Sequence, residues 1–276
     1  MDVFAPRSLE EALDVRVAHP EATPVAGGTD LMVDVNAGRI RPKALLDLSH
    51  VDEIGSWGRD NGRVFLGAGV TFARIGRELT EFHSLVTAAH SVASAQIRNR
   101  ATIGGNLATA SPAGDGIPVL VAYEADVVAA AARTGRRRIP LGNFLRGPKS
   151  TTLAPDELIA GVEWQPVAGP GSFAKVGRRN AMVIAVASVC IQVDEERHSV
   201  RLALGSVGPT VLRARRAERF AEGADWHDPA AVAEFARLAA ADARPIDDLR
   251  GTAVHRRHVV EVLARRALTQ VEEARC

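Results

Sequence analysis

Apolar residues fall into two textures along this chain of 276 residues. Through about residue 164, short apolar runs alternate with stretches of helical spacing. "SLEEALDVRVAH" (8–19) sets Leu9, Leu13 and Val17 along one helical face behind a serine and two glutamates. That pattern predicts a helix with Ser8 as N-cap and an acidic first turn. "ATPVAGG" (22–28), "KALLDLS" (43–49) and "RVFLGAGV" (63–70) read as short strands, the first ending in glycines. "FARIGRELTEFH" and "HSLVTAAHSVAS" read as helices, and "IPVLVAYEADVVAAA" (117–131) as a helix or short apolar segment followed by a strand. The texture changes at "QPVAGPG" (165–171), two prolines and two glycines in seven residues, which reads as a linker. Beyond it "SFAKVGR", "MVIAVASVCIQVD" and "SVRLALGSVG" are three consecutive strand patterns, and "PAAVAEFARLAAADA" and "TAVHRRHVVEVLARRALTQVEEA" are amphipathic helices. Strands followed by helices imply a small antiparallel sheet covered by helices, an α+β arrangement. No repeat of 20–50 residues is present.

One stretch fits neither texture. "IRNRATIGGNLATASPAGDGIP" (97–118) is small and polar for longer than a connection needs, since four to six residues suffice. It reads as a loop built for something to lie against its backbone. Its Gly104-Gly105-Asn106 with Thr109 repeats the device of "VAGGTDL" (25–31), where Gly27-Gly28 ends a strand beside Thr29 and Asp30. Paired glycines can adopt positive φ and present successive N–H groups as an anion nest. Either loop alone is also what an ordinary tight turn looks like. Two of them clamp one pyrophosphate from both sides, which one cannot do. Two other glycine stretches fail as nucleotide motifs. "GAGVTF" has Phe72 where a dinucleotide fingerprint needs Gly or Ala, and no acidic residue follows at the ribose spacing. In "GNFLRGPK", Pro148 separates Gly147 from Lys149 and removes an N–H from the would-be phosphate cradle.

Composition narrows the chemistry. There are 34 basic and 33 acidic residues, a net charge of +1, so no global field draws the chain to nucleic acid or membrane. The clusters "RTGRRR" and "RARRAERF" lack interleaved aromatics and read as solvated faces and turns. Cys190 and Cys276 are the only cysteines, and the eight histidines are scattered, so neither a metal centre nor an iron–sulfur cluster is expected. The N-terminus lacks a signal-peptide pattern, and the longest apolar run, "AMVIAVASVCIQV", is too short to span a bilayer. A cytoplasmic protein without membrane insertion is expected.

The two glycine loops, with the Ser-Pro-x-x-Asp that follows the second, resemble the flavin loops of the FAD-binding (medium) subunit of the molybdenum hydroxylases. That family includes the medium subunit of carbon monoxide dehydrogenase and the flavin domain of xanthine dehydrogenase. "TLAPDELI", "FAKVGRR", "RLALGSVGPTVLRARRAE" and "RPIDDLRGTAVHRRHVVEVLARRAL" extend the resemblance over essentially the whole chain. It implies a PCMH-type (vanillyl-alcohol-oxidase-like) FAD-binding fold over 1–168, in two lobes of about 1–54 and 55–168. A small antiparallel sheet-plus-helices domain over 171–276 follows. Carried over by position, Pro24, Val25, Ala26, Gly27, Gly28, Thr29, Asp30 and Leu31 join Gly104, Gly105, Asn106, Ala108 and Thr109 around the FAD pyrophosphate and ribityl, with Ile97 and Thr102 in the same set. Asp115 accepts from ribityl or ribose hydroxyls, Leu158 and Ile159 lie near the isoalloxazine, and Lys175 sits by its pyrimidine edge. Without the resemblance Lys175 reads as a surface strand lysine. The resemblance assigns neither a catalytic residue nor a metal ligand to this chain.

Two departures stand out. Val183 occupies a place where the family often has Asp, so a hydrogen bond or charge near the flavin is expected to be missing. Tyr123 is the sole tyrosine and lies in the first half, so no tyrosine of the second half can stack on the flavin. The cysteine count also excludes the benzoyl-CoA-reductase-like branch, whose corresponding subunit carries a cluster insertion. The implied function is an electron-transfer subunit that takes electrons from the two [2Fe–2S] clusters of a small subunit. The substrate is oxidised at a molybdenum cofactor in a large subunit, and an external acceptor receives the electrons, all within a heterotrimer that dimerises. Two rival readings are a self-standing flavin oxidoreductase and a flavin-free nucleotide-binding scaffold of the same fold.

Overall fold

Ser8 does cap the first helix: its Oγ accepts from the Glu11 amide at 3.1 Å, and the helix runs Leu9–Ala18. Leu9 and Leu13 are buried, whereas Val17, on the same predicted face, is 57% exposed. The computed structural model describes residues 1–275; Cys276 lies outside the described residues. Within them the chain forms two compact units that do not follow chain order.

The first unit comprises 1–74, 95–110 and 125–165. It contains a three-stranded parallel sheet in the order Asp2–Phe4, Ala44–Asp47, Ala22–Val25. A five-stranded antiparallel sheet runs Trp57–Asp60, Arg63–Gly67, Leu158–Trp164, Asp126–Ala131, Gly135–Pro140. Its central strand Leu158–Trp164 is buried at every position. The edge strand Gly135–Pro140 carries the arginine cluster, but these are not merely solvated: Arg137 pairs with the buried Glu157, and Arg138 with Glu163. Edge charges of this kind also block pairing with a foreign strand. Gly67, read above as the first glycine of a failed nucleotide motif, lies so near Ile54 and Ser56 that a Cβ would collide with their carbonyl oxygens. Close packing is its role.

The second unit comprises 75–94, 111–124 and 166–275 of the described chain. Its antiparallel sheet is Gly171–Gly177, Ala185–Asp194, Ser199–Gly205 and the short Leu212–Arg213. All ten residues of Ala185–Asp194 are buried, because both faces of the strand are covered. Ala187, Val189, Ile191 and Val193 enter a core with Phe235, Ala239, Val260 and Leu263 of the helices Pro229–Asp242 and Ala253–Glu273. The alternate residues meet helices from the first half of the chain, His83–Ser91 and Gly116–Ala122, which pack on this sheet. The linker at 165–171 therefore separates the strands, while two earlier helices fold with the later segment. Covering both faces excludes water from the strand, and burial pushes the Cys190 thiol up to about 12.

Candidate functional site

The two glycine segments meet within the first unit. Gly27 lies against the Arg100 backbone so closely that a Cβ would overlap the Arg100 carbonyl. Thr109 Oγ1 donates to Asp30 Oδ2 at 3.3 Å, a second link between the segments. Yet they are built differently. Gly28 takes φ +72°, the left-handed conformation expected of a nest. The amides of Gly27, Gly28, Thr29 and Asp30 donate to no protein acceptor among the described residues. A run of unspent N–H groups around a left-handed glycine is an anion-binding concavity.

The second segment is no nest, and the expectation of paired positive-φ glycines is corrected there. Ile103–Thr109 is a short helix with Thr102 as N-cap. Its first four amides are all spent on the protein: Ile103 to Val70 O at 3.0 Å, Gly104 to Ala68 O at 2.9 Å, Gly105 to Thr102 Oγ1 at 3.0 Å, and Asn106 to Thr102 O at 3.0 Å. Gly104 is needed for packing, since a Cβ would stand 2.5 Å from that of Ala68. Gly105 and Ala108 are exposed, and a Cβ on Gly105 would meet only Thr102 Oγ1, at 3.2 Å. This segment thus contributes a floor of small side chains. It also contributes Asn106 Oδ1, a buried acceptor with no hydrogen-bond partner. A buried acceptor left unpaired costs about 1–3 kcal/mol, so it marks a place where a donor is missing.

The other first-unit positions sit around this floor. Pro24 and Val25 end the strand that leads into the nest, with Ala26 between them and the glycines and Leu31 opening the helix Leu31–Asn36. Ile97 accepts the Ala101 amide at 2.7 Å, in the turn that carries Arg100 to Gly27. Leu158 and Ile159 are only 3% and 8% exposed, within the central strand. That strand reaches the floor through Ala68, whose amide donates to Ala160 O and whose carbonyl accepts from Gly104.

Asp115 and Lys175 belong to the second unit and bond each other. Lys175 Nζ donates to Asp115 Oδ2 at 2.5 Å, to Ser91 O at 2.8 Å and to Val183 O at 3.2 Å, which occupies all three ammonium protons. The pair is nearly buried, with side-chain exposures of 11% and 9%. Burial raises the Asp115 carboxyl above its ordinary range, against the pull of the Lys175 ammonium. Asp115 Oδ1 is a second buried acceptor without a partner. Sequence reasoning missed Ser91 and the backbone of Val183. The apolar Val183 side chain packs against Gly177 and supplies neither the hydrogen bond nor the charge of an Asp, while its backbone carbonyl accepts from Lys175. A carbonyl leaves no mark in the residue code.

Tyr123 is buried at the end of helix Gly116–Ala122, where burial raises its hydroxyl pKa. Lys149, from the false phosphate motif, pairs with Asp34 at 2.7 Å. Among the described residues no cluster of His, Cys, Asp and Glu has metal-binding geometry, and no helix is long and apolar enough to cross a membrane.

Comparison with known proteins places the chain in a family. A family model described as "FAD binding domain in molybdopterin dehydrogenase" matches residues 1–164. One described as "CO dehydrogenase flavoprotein C-terminal domain" matches 172–271. The nicotinate dehydrogenase FAD-subunit of Eubacterium barkeri is 30% identical, over 81% of this chain and 80% of its own length. The xanthine dehydrogenase FAD-binding subunit of Escherichia coli O157:H7 is 27% identical, over 97% of this chain and 94% of its own. Among solved structures, a chain of the carbon monoxide dehydrogenase of Hydrogenophaga pseudoflava superposes with a TM-score of 0.92 at 28% identity, covering 100% of this chain and 98% of that one.

Proposed function

The chain belongs to the FAD-binding subunits of the molybdenum hydroxylases and binds FAD as a component of an oxidoreductase; from that premise we propose that it is the electron-transfer subunit, taking electrons from [2Fe–2S] clusters of a partner and releasing them to an external acceptor. The observation that carries the assignment of the cofactor's place is the run of unspent amides from Gly27 to Asp30. It faces the requirement that a diphosphate find donors without side chains in its way.

The residues present fit FAD. Gly27, Gly28, Thr29 and Asp30 hold the pyrophosphate through backbone N–H groups. Gly105 and Ala108 keep the adjoining surface low, and Asn106 Oδ1 accepts a cofactor hydroxyl, which removes its unpaired state. In the second unit Asp115 Oδ1 is likewise an acceptor without a donor, and Lys175 holds that carboxylate in place. Leu158, Ile159, Pro24 and Ile97 supply apolar and backbone surroundings. Bound FAD supplies one- and two-electron redox chemistry, which lets two-electron substrates exchange with one-electron clusters. The chain itself contributes binding, orientation and a fixed charge distribution, with no proton-transfer residue assigned.

Membership also supports a heterotrimer with a molybdenum-cofactor large subunit and an iron–sulfur small subunit, located in the cytoplasm. Purification through a tag on this chain tests the reading. The complex is expected to be yellow, to release FAD and not FMN on denaturation, and to lose flavin absorbance when its iron–sulfur chain is reduced. A flavin that stays oxidised beside reduced clusters would refute electron transfer, and FMN in place of FAD would refute the diphosphate site.

A further inference from the structure

The lysine of the failed phosphate motif reaches the glycine nest by another route, through the tertiary fold of the first unit. Pro148 and Lys149 form the two-residue turn between the strands Leu145–Gly147 and Ser150–Thr151. Lys149 holds φ +57° there, a conformation in which glycine is the unstrained choice. Backbone strain of this kind collects where a side chain is used. The Lys149 ammonium donates to Asp34 Oδ2 at 2.7 Å, on the helix Leu31–Asn36 that leaves the Gly27–Asp30 nest. The amide of Asp34 donates to Asp30 O at 3.4 Å, so a single helical turn separates the lysine's partner from the end of the nest. Asp30 in turn accepts from Thr109 on the floor of small side chains. The Asp34 carboxylate, and more weakly that of Asp30, holds the Lys149 ammonium above the usual lysine range.

Asp34 can spare this cation. Arg39 Nη1 donates to its other oxygen, Oδ1, at 2.8 Å, so the carboxylate stays paired when Lys149 leaves. The Lys149 side chain is 65% exposed, and its flexible stem can turn to a new partner without unpacking anything. The nest, by contrast, lacks a full positive charge. Its N–H groups offer partial charges, and the Asp30 carboxylate at its end repels a doubly charged diphosphate, as does Asp34 one turn on. We propose that Lys149 is a further cofactor-binding residue, whose ammonium leaves Asp34 for the FAD diphosphate while Arg39 keeps Asp34 neutralised. The inference rests on the placement of the diphosphate at Gly27–Asp30 given above.

The test uses the full chain, purified with its complex, freed of flavin and titrated with FAD at low and high salt. Flavin fluorescence gives the affinity, beside melting of each flavin-free preparation. Lys149→Met is expected to bind FAD about fivefold more weakly at low salt, the worth of a well-formed exposed ion pair, and to approach parent at about 1 M salt. Lys149→Arg keeps the charge and should stay within about twofold of parent. Lys149→Gly relieves the turn, so it should melt no lower than parent yet lose the same affinity as Lys149→Met. Asp34→Asn frees the ammonium and removes a nearby carboxylate, so it should bind FAD as tightly as parent or more tightly. Equal losses in Asp34→Asn and Lys149→Met would mean that the pair only straps the helix, and would overturn the proposal. It is also overturned by a Lys149→Met protein that binds FAD like parent at low salt, or by a loss that salt leaves unchanged. A salt-dependent loss in Arg100→Gln alone would move the role to that exposed arginine, whose backbone touches Gly27, and overturn it for Lys149. A parent that takes up FMN as tightly as FAD overturns the diphosphate placement, and the role of Lys149 with it.

Discussion

Replacing Gly105 by alanine separates a cofactor contact from a folding role, because the structure predicts opposite effects on the two. The residue lies in the helix Ile103–Thr109 and its φ is not positive, so a side chain meets no backbone strain. Alanine in place of glycine within a helix favours folding by about 0.5–1 kcal/mol. Against this, the new Cβ would stand 3.2 Å from Thr102 Oγ1 and displace it by a few tenths of an ångström. That hydroxyl caps the Gly105 amide, and complete loss of a cap costs about 1 kcal/mol. The two effects nearly cancel, so apoprotein melting should stay within about 2–4 °C of parent. The methyl group nonetheless projects from the exposed face of the floor, where the pyrophosphate or ribityl is assigned. FAD affinity should fall by at least tenfold, or about 1.4 kcal/mol. Flavin fluorescence quenching on titration into apoprotein measures the affinity, beside melting of the same preparation. Gly142→Ala is the control, since a Cβ there meets open space in another short helix. A Gly105→Ala protein that melts like parent and binds FAD within about twofold of it would remove this helix from the cofactor site.

Other substitutions probe neighbouring parts of the same logic. Gly27→Ala drives a methyl into the Arg100 carbonyl, so overpacking of about 1–3 kcal/mol should lower apoprotein melting and FAD affinity together; a loss of only one of them contradicts the contact between the segments. Asn106→Ala removes an unpaired buried acceptor, so apoprotein melting should not fall while FAD affinity does, which parallel titration and melting reveal. The Arg137 guanidinium beside Glu157 holds its carboxyl below the usual range, so the stability it contributes is present above about pH 4.5 and is lost as pH falls through the lower folded value. Glu157→Gln should accordingly flatten the fall of melting temperature with acidification, and an unchanged slope would contradict the pairing. Cys190, buried with its thiol pushed up to about 12, should resist thiol reagents in native protein and react on unfolding; rapid labelling of Cys190 in native protein, located by peptide mapping, would contradict its burial.

Local chemistry alone determined much of this protein. Ser8 before two glutamates sufficed for a capped helix, and alternating apolar runs sufficed for the strands, because capping and side-chain alternation act over a few residues. The two glycine segments were legible as a pair, and the left-handed φ of Gly28 follows from glycine's freedom. The difference between the segments was not legible. Both have paired glycines, yet the amides of Ile103 and Gly104 are claimed by Val70 and Ala68, more than thirty residues earlier in the chain. Those carbonyls turn a would-be nest into a capped helix and leave the unspent amides to the first segment. Long-range packing likewise decided that helices His83–Ser91 and Gly116–Ala122 join the later sheet, since a strand buried on both faces must recruit cover from wherever the chain can supply it. Lys175 and Asp115 were named from a resemblance, but their partners were decided by tertiary structure: the Ser91 and Val183 carbonyls reach the ammonium as backbone atoms, and every residue has one. Sequence specifies which side chains are available; only the folded chain specifies which backbone groups remain free for a ligand.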